Sequence, residues 1–166
     1  MLTNQFVAEE IVKKFGDEVF DFEEPFGMLT LSTTREQIIP MLEYLNNHSE
    51  FKISFLTDIT GIHYPDNAGK EFCVVYHVHS FIQNFRARIK VFLAEADLHI
   101  PTATHLYASA NWMERETYDF FGIIFDGHPN LTRILNMDEM DYFPMRKQYP
   151  LEDATREDKI DALFGR

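Results

Sequence analysis

The side chains best suited to chemistry lie in one stretch, ERETYDFFGIIFDGH, which runs from Glu114 to His128. It places glutamates, aspartates and a histidine close together along the chain, and these are common general acids and bases. A carboxylate held in an apolar environment would have a raised pKa, as a catalytic acid requires. The competing interpretation is a structural ion pair followed by a hydrogen-bonded turn histidine. On the residues alone we favour the structural interpretation.

A helix predicted from about Ser109 to Phe121 must position the acidic residues. One arc of its helical wheel carries large apolar side chains, namely Trp112, Met113 and Phe120. Glu116 falls inside this arc, so we predict that it is buried. Because a buried carboxylate without a cation is costly, we also predict that it pairs with Arg133 or Arg146.

The rest of the stretch has local roles. Arg115 and Asp119 are four residues apart and are predicted to pair along the helix. Gly122 ends the helix, and the following apolar run predicts a short strand. His128 precedes Pro129, which favours an extended conformation. We interpret it as a turn residue.

A possible metal site lies on a predicted strand. Cys73, His77 and His79 share one face of it, in a spacing that can chelate zinc or copper. No fourth ligand is marked, so we predict no metal site and interpret the three as a mixed polar face.

A basic stripe, formed by Arg86, Arg88 and Lys90, could meet an acidic partner surface. The alternative, which we favour slightly, is a solvated sheet face or an edge strand guarded by charge.

Composition excludes several classes of protein. The net charge of −12 over 166 residues argues against nucleic acid as a partner. A single cysteine can form neither an intrachain disulfide nor an iron–sulfur site. There is no glycine-rich nucleotide loop, no signal peptide and no apolar run long enough to span a membrane. We predict a soluble cytoplasmic protein without a catalytic, cofactor-binding or metal site of its own.

The order of elements predicts an α+β fold. Helical patterns cover Asn4 to Phe15 and a second helix that ends near Asn47, with Thr34 as its cap and Pro40 delaying or kinking its start. Alternating apolar runs between residues 51 and 95 predict strands, two of them in an antiparallel hairpin. We expect a small, mostly antiparallel sheet with helices on one face, in a domain of residues 1–125.

Residues 126–166 are predicted to form an extended C-terminal segment that binds a partner. From Asn136 onward the periodicity is poor, so we expect little contact with the domain. The segment is nevertheless rich in large apolar side chains: Met137, Met140, Tyr142, Phe143, Met145, Tyr149 and Leu151. Arg146 and Lys147 are expected at the polar rim of this contact or paired with acids of the partner.

The stretch from Glu114 to His128 resembles a family signature. It is similar to the C subunit of NADH:quinone oxidoreductase, the bacterial respiratory complex I, in its stand-alone form. The matching residues are Glu114, Arg115, Glu116, Asp119, Phe120, Phe121 and His128, followed by Arg133, Arg146 and Lys147. The upstream RIKVFL and ANW also fit. The chain departs from the family at Thr132, where a basic residue is usual, at Tyr142, where glycine is usual, and at Gln148, where an acid is usual.

The resemblance implies a non-catalytic structural subunit of the peripheral arm, beside the D subunit and other subunits of that arm. The complex would transfer electrons from NADH to quinone and translocate protons. NAD, FMN, iron–sulfur clusters and quinone would be bound elsewhere in it, and none in this chain. The resemblance places the chain on the cytoplasmic side of the cell inner membrane, attached only through the complex. The alternatives are the equivalent subunit of a ferredoxin-linked or hydrogenase-type complex, and a free-standing metal or acid–base enzyme.

Overall fold

The computed structural model describes residues 2–149. Its helices are α1 (Asn4–Phe15), α2 (Ile38–Asn47) and α3 (Ala110–Phe121). Its strands are β1 (Val19–Glu23), β2 (Leu29–Thr33), β3 (Phe55–His63), β4 (Phe72–Ser80), β5 (Phe85–Leu93), β6 (His99–Pro101) and β7 (Ile124–Asp126). Short 3₁₀ turns occupy Gly16–Glu18 and Pro25–Gly27. The predicted α+β class is confirmed.

Five strands form one sheet in the order β1-β2-β5-β4-β3. The β4–β5 pair is the predicted antiparallel hairpin, with Phe72 opposite Leu93 and Ser80 opposite Phe85. Within this sheet only the β2–β5 pair is parallel, because α2, β3 and β4 intervene in sequence. The basic strand β5 is therefore central, and the interpretation of its charges as protection of a sheet edge is wrong.

The hydrophobic core lies between one face of this sheet and the helices. Sheet residues such as Leu31, Tyr76 and Ile89 pack there with Ile11 of α1 and Leu42 of α2. Strand alternation puts Arg86, Arg88 and Lys90 on the opposite face. The sheet thus has one face covered by helices and one face that carries charge.

The helices begin and end for local reasons. Thr3 caps α1 by accepting the N–H of Phe6, and Gly16 ends it with φ +57°. The second helix begins at Ile38, four residues after Thr34, which agrees with the late start expected from Pro40. Thr34 does not cap it; its hydroxyl bonds Glu18, and a turn precedes the helix. None of the helices in residues 2–149 has the length and apolar character of a membrane span.

Candidate functional site

The N-terminal half of α3 carries a fully buried acid, Glu114. One of its carboxyl oxygens accepts the backbone N–H of Ala103 at 2.7 Å, and the other accepts the hydroxyl of Thr102 at 2.5 Å. These bonds tie the helix to the loop after β6. Burial raises the pKa of Glu114 to about 7, and the two hydrogen bonds offset only part of that rise. The charge state of this carboxyl group is therefore sensitive to pH above the range in which an exposed glutamate titrates.

Asp119, five residues later, is also fully buried but has many more donors. Its Oδ2 accepts three successive backbone N–H groups at 2.8–3.1 Å, from Ile134, Leu135 and Asn136. Its Oδ1 accepts the Arg133 guanidinium at 2.7 Å and the Asn136 side-chain amide at 3.1 Å. Burial alone would raise the pKa of Asp119, but these donors outweigh it and hold the pKa well below its usual range.

The Arg133 guanidinium organises the chain beyond Asp119. It donates to the carbonyls of Asp119 and Tyr142 at 3.0 Å and to that of Met140 at 2.7 Å. It also lies 5.1 Å from the centre of the Phe143 ring. With a side chain only 9% exposed, it joins α3 to three points of the following segment.

Arg115 contacts that segment from the exposed side of the helix. Its guanidinium donates to the carbonyls of Thr132 at 3.1 Å and Arg133 at 2.9 Å, and lies over the Trp112 ring. It does not pair with Asp119, so the predicted pair along the helix is wrong. The Arg115 guanidinium is instead used by the carbonyls of Thr132 and Arg133.

His128 is the turn residue that the sequence predicted. Its Nε2 lies 3.0 Å from the carbonyl of Asn111, and its Nδ1 accepts the N–H of Asn130 at 3.0 Å. Because a carbonyl can only accept, the ring proton is on Nε2 and both nitrogens are used. The histidine fixes the turn after β7 against the start of α3.

Arg146 attaches the end of this segment to the domain. Its Nε donates to the carbonyl of Phe121 at 2.8 Å, and its guanidinium lies about 5 Å from the ring centres of Phe72 and Phe143. Its Nη1 is 3.7 Å from Glu95. This arginine anchors the segment to its own domain, with a side chain 15% exposed, and its place at the rim of a partner contact stays a prediction.

Gly122 leaves space for the Arg146 side chain, and His63 bonds the residue that follows Arg146. A Cβ on Gly122 would lie 2.5 Å from the Phe143 ring and 2.7 Å from the Arg146 guanidinium, at a residue with φ +77°. The Nδ1 of His63 accepts the backbone N–H of Lys147 at 2.9 Å. Burial, together with the nearby Arg146 and Lys147 cations, lowers the pKa of His63. The histidine is therefore a neutral acceptor.

These contacts define a wrapping segment, residues 127–149, which has no helix or strand but is bonded to the domain along its length. The expectation that the chain from Asn136 has little contact with its own domain is wrong for residues 136–149. Side-chain donors and acceptors replace the regular hydrogen-bond ladders that periodicity would have signalled. Residues 150–166, with Leu151, lie outside the described residues. The boundary at residue 125 stays a prediction.

The prediction for Glu116 is also wrong. It is exposed, and its carboxylate has no hydrogen bond or ion pair with any of residues 2–149. Of the apolar arc that suggested its burial, Trp112 is 61% exposed, whereas Met113 and Phe120 are partly buried against the core. The inward arc instead carries Glu114 and Asp119.

Cys73, His77 and His79 share one face of β4, as the alternation predicted. Cys73 is buried, which raises its pKa to about 12, and His77 accepts the guanidinium of Arg88. Over residues 2–149, no three histidine, cysteine, aspartate or glutamate side chains are placed to hold a metal ion.

Sequence reasoning missed the partners of the buried acids, chiefly Thr102, Ala103 and Asn136. They lie 11 to 17 residues from the acids that they bond. Chemically, both buried acids and the arginines around them are committed to bonds within the chain.

Comparison with known proteins gives a consistent result. The family model described as "Respiratory-chain NADH dehydrogenase, 30 Kd subunit" matches residues 31–155. The C subunit of NADH-quinone oxidoreductase from Citrifermentans bemidjiense is 40% identical, with 95% of this chain and 96% of that protein covered. The same subunit of a Nocardioides species is 45% identical over 125 residues, or 75% of this chain. The chain spans about half the length of that relative and of the Streptomyces coelicolor one.

Two solved structures are similar. "Nqo5 of the trypsin-resistant fragment (1-134)" aligns with a TM-score of 0.65 and 34% identity, and 76% of this chain and 98% of that chain are covered. A chain of the membrane-bound sulfane sulfur reductase, an archaeal respiratory membrane complex, aligns with a TM-score of 0.73. The alignment covers 89% of this chain and 85% of that chain at 22% identity, and so shows a shared fold.

Proposed function

The chain belongs to the family of the 30 Kd subunit of respiratory-chain NADH dehydrogenase, and from that premise we propose that it is a non-catalytic structural subunit of an NADH:quinone oxidoreductase. In this proposal the enzyme passes electrons from NADH to quinone and couples this to proton translocation. NAD, FMN, iron–sulfur clusters and quinone bind to other subunits.

One observation carries the proposal: the two buried acids of the stretch, Glu114 and Asp119, have no access to a substrate. Glu114 and Asp119 are both 0% exposed, and their oxygens are occupied by donors of the same chain. A general acid must reach the proton that it transfers, directly or through one water. The groups instead connect α3 to the 102–103 loop and to the wrapping segment.

We place the contact with the D subunit on the outer side of α3 and the wrapping segment. Large apolar side chains are exposed there: Trp112 at 61%, Leu135 at 64%, Met137 at 68% and Met145 at 47%. Exposed apolar groups of this size are typical of protein interfaces. Each would contribute roughly 1.5–3 kcal/mol on full burial, before the cost of ordering. Asp119, Arg133 and Arg146 hold this surface in shape.

The membrane association in this proposal is indirect, through the complex, on the cytoplasmic side of the cell inner membrane. The alternative is the equivalent subunit of a ferredoxin-linked or hydrogenase-type membrane complex. The fold shared with the chain of the sulfane sulfur reductase favours keeping this alternative. The identity of the neighbouring subunits distinguishes the two.

The test uses the affinity-tagged full chain, expressed with its natural partners. Met137→Asp should lower the recovery of the D subunit and of NADH:quinone activity with the tagged chain. Val12→Asp is the matched control, because Val12 is a 45% exposed apolar side chain on α1. It should change neither recovery nor activity.

The isolated chain supplies the second part of the test. We expect it to show no NADH oxidation and no stoichiometric metal. Turnover by the isolated chain, or unchanged recovery of the D subunit with Met137→Asp, would contradict the proposal.

A further inference from the structure

The charged face of the sheet has no helix over it in the described part of the chain. Its middle is the β5 stripe of Arg86, Arg88 and Lys90, which lies beside His77 and His79 on β4. Although the chain has a net charge of −12, it places three cations on its central strand. Their position is unrelated to the protection of a sheet edge.

The three cations differ in their partners. Lys90 lies 3.9 Å from Glu23 on the same face. The Arg88 Nε donates at 2.9 Å to the Nε2 of His77, a neutral group. Burial and the Arg88 cation lower the pKa of His77, against the opposing effect of Asp58, so this histidine does not balance the arginine charge. Within residues 2–149 neither Arg86 nor Arg88 forms an ion pair with a carboxylate.

The same face has an apolar end next to Arg86. The Phe55 and Phe81 rings lie 4.9 Å apart, and Phe81 covers His79 at 4.5 Å. Phe81 is 65% exposed and Ile82 is 71% exposed. His79 itself is only 7% exposed, and its buried Nε2 has no hydrogen-bond partner among the described residues. Buried polar atoms without a hydrogen-bond partner are uncommon in proteins.

We propose that this face binds an acidic segment of a partner polypeptide, with carboxylates paired to Arg86 and Arg88 and an apolar side chain against Phe81 and Ile82. Unpaired arginines beside exposed aromatic rings are typical of interface hot spots. The acidic character of the partner follows from charge complementarity with the two arginines. A nucleic acid would bring a dense row of phosphates onto Glu23 and Asp58, which flank the stripe, whereas a peptide can place single carboxylates on the two arginines.

This inference rests on the proposed function only in that the chain works inside an assembly. It concerns a surface separate from α3 and the wrapping segment, which would contact the D subunit. The chain would thus have two interfaces, one mainly apolar and one mainly electrostatic.

The test uses the native complex and a carbodiimide, which joins an amine to a carboxylate in direct contact. Arg86→Lys provides the amine without changing the charge. We expect a new cross-link from position 86 to an aspartate or glutamate of another polypeptide, identified by mass spectrometry. Lys14→Arg, which removes an exposed amine on α1, is the background control. A cross-link from position 86 to residues 150–166 of the same chain, or no cross-link, would overturn the proposal.

A charge reversal gives an independent readout. Arg86→Glu should reduce the amount of the cross-linked partner that is retained in a salt wash by about tenfold, whereas Lys14→Glu should leave it unchanged. If nuclease treatment of the wild-type sample reproduced the loss, the occupant would be a nucleic acid and the proposal would be wrong. If Arg86→Glu had no effect while the D subunit was still recovered, this inference would fail and the proposed function would stand.

Discussion

The two ends of α3 each bury a carboxylate, and the two carboxylates behave in opposite ways. Near the start, Glu114 has two donors, and burial raises its pKa to about 7. Near the end, Asp119 has three backbone N–H groups, an amide and an arginine, and its pKa is held well below its usual range. Both are 0% exposed. Glu114 lies deeper in the protein than Asp119, so its stronger desolvation and the larger number and charge of the donors to Asp119 together decide the two charge states.

The two acids also connect α3 to different parts of the chain. Glu114 connects α3 to the 102–103 loop of the domain itself, with an acid whose pKa is raised to about 7. Asp119 connects α3 to the wrapping segment with a permanent charge. A segment without helix or strand has few backbone hydrogen bonds of its own, so it depends on such a fixed charge for its conformation.

The largest effect should come from the Asp119 end. Asp119→Ala leaves the Arg133 guanidinium and three backbone N–H groups without their acceptor. Breaking a buried pair in this way costs on the order of 3–5 kcal/mol. Urea denaturation should show the loss, and trypsin should cleave faster after Arg133 and Arg146.

Asp119→Asn is the matched control for that experiment. It keeps an oxygen acceptor and removes the charge, so its cost should be smaller than that of Asp119→Ala. Equal stability of Asp119→Ala and wild type would show that the wrapping segment is held without this acid.

The Glu114 end should change the pH dependence of stability. Its pKa is raised from an ordinary value near 4.5 to about 7 in the folded state. The folded state therefore holds more protons than the unfolded state between these values, and stability falls as pH rises through this window. Above it the penalty is complete, at roughly 2–4 kcal/mol for a shift of this size.

Glu114→Gln should remove that slope. A neutral amide has no proton to lose, so the difference in unfolding free energy between pH 5 and pH 8 should change by roughly 2–4 kcal/mol relative to wild type. Urea titrations at the two pH values measure it. Glu116→Gln, on the same helix but exposed, should leave the wild-type slope intact. A Glu114→Gln slope equal to that of wild type would mean that Glu114 is ionised throughout.

Prediction from the sequence succeeds where the structure depends on local pattern. The alternation that places Phe72 to Ser80 beside Phe85 to Leu93 is of this kind, and the hairpin follows from it. The parallel pairing of β2 with β5 could not be predicted, because it joins strands more than 50 residues apart with no local signal. The sheet order, and with it the central position of the basic stripe, depends on that pairing.

For the site, the sequence identifies the stretch and not its geometry. Large apolar residues are usually buried, which is why the arc with Trp112 is predicted to face inward, but exposed aromatics are common at interfaces. The partners of Asp119 are mostly backbone N–H groups, which nearly every residue has, so no residue type marks them. The contacts of the wrapping segment escape prediction for the same reason.

The smallest effect should come from Glu116, which lies between the two buried acids and shares neither environment. It is exposed and has no bonded partner among residues 2–149. Surface substitutions of this kind usually change stability by less than about 0.5 kcal/mol. Glu116→Ala should therefore match the wild type in urea denaturation and in tryptic cleavage of the wrapping segment.

Since Glu116 lies one turn after Trp112 on the face proposed to contact the D subunit, recovery of that partner should be measured in parallel. A large loss of stability in the isolated chain would show that Glu116, and not only Glu114 and Asp119, is needed to hold the fold. Unchanged stability with reduced recovery of the partner would instead place its carboxylate in the interface.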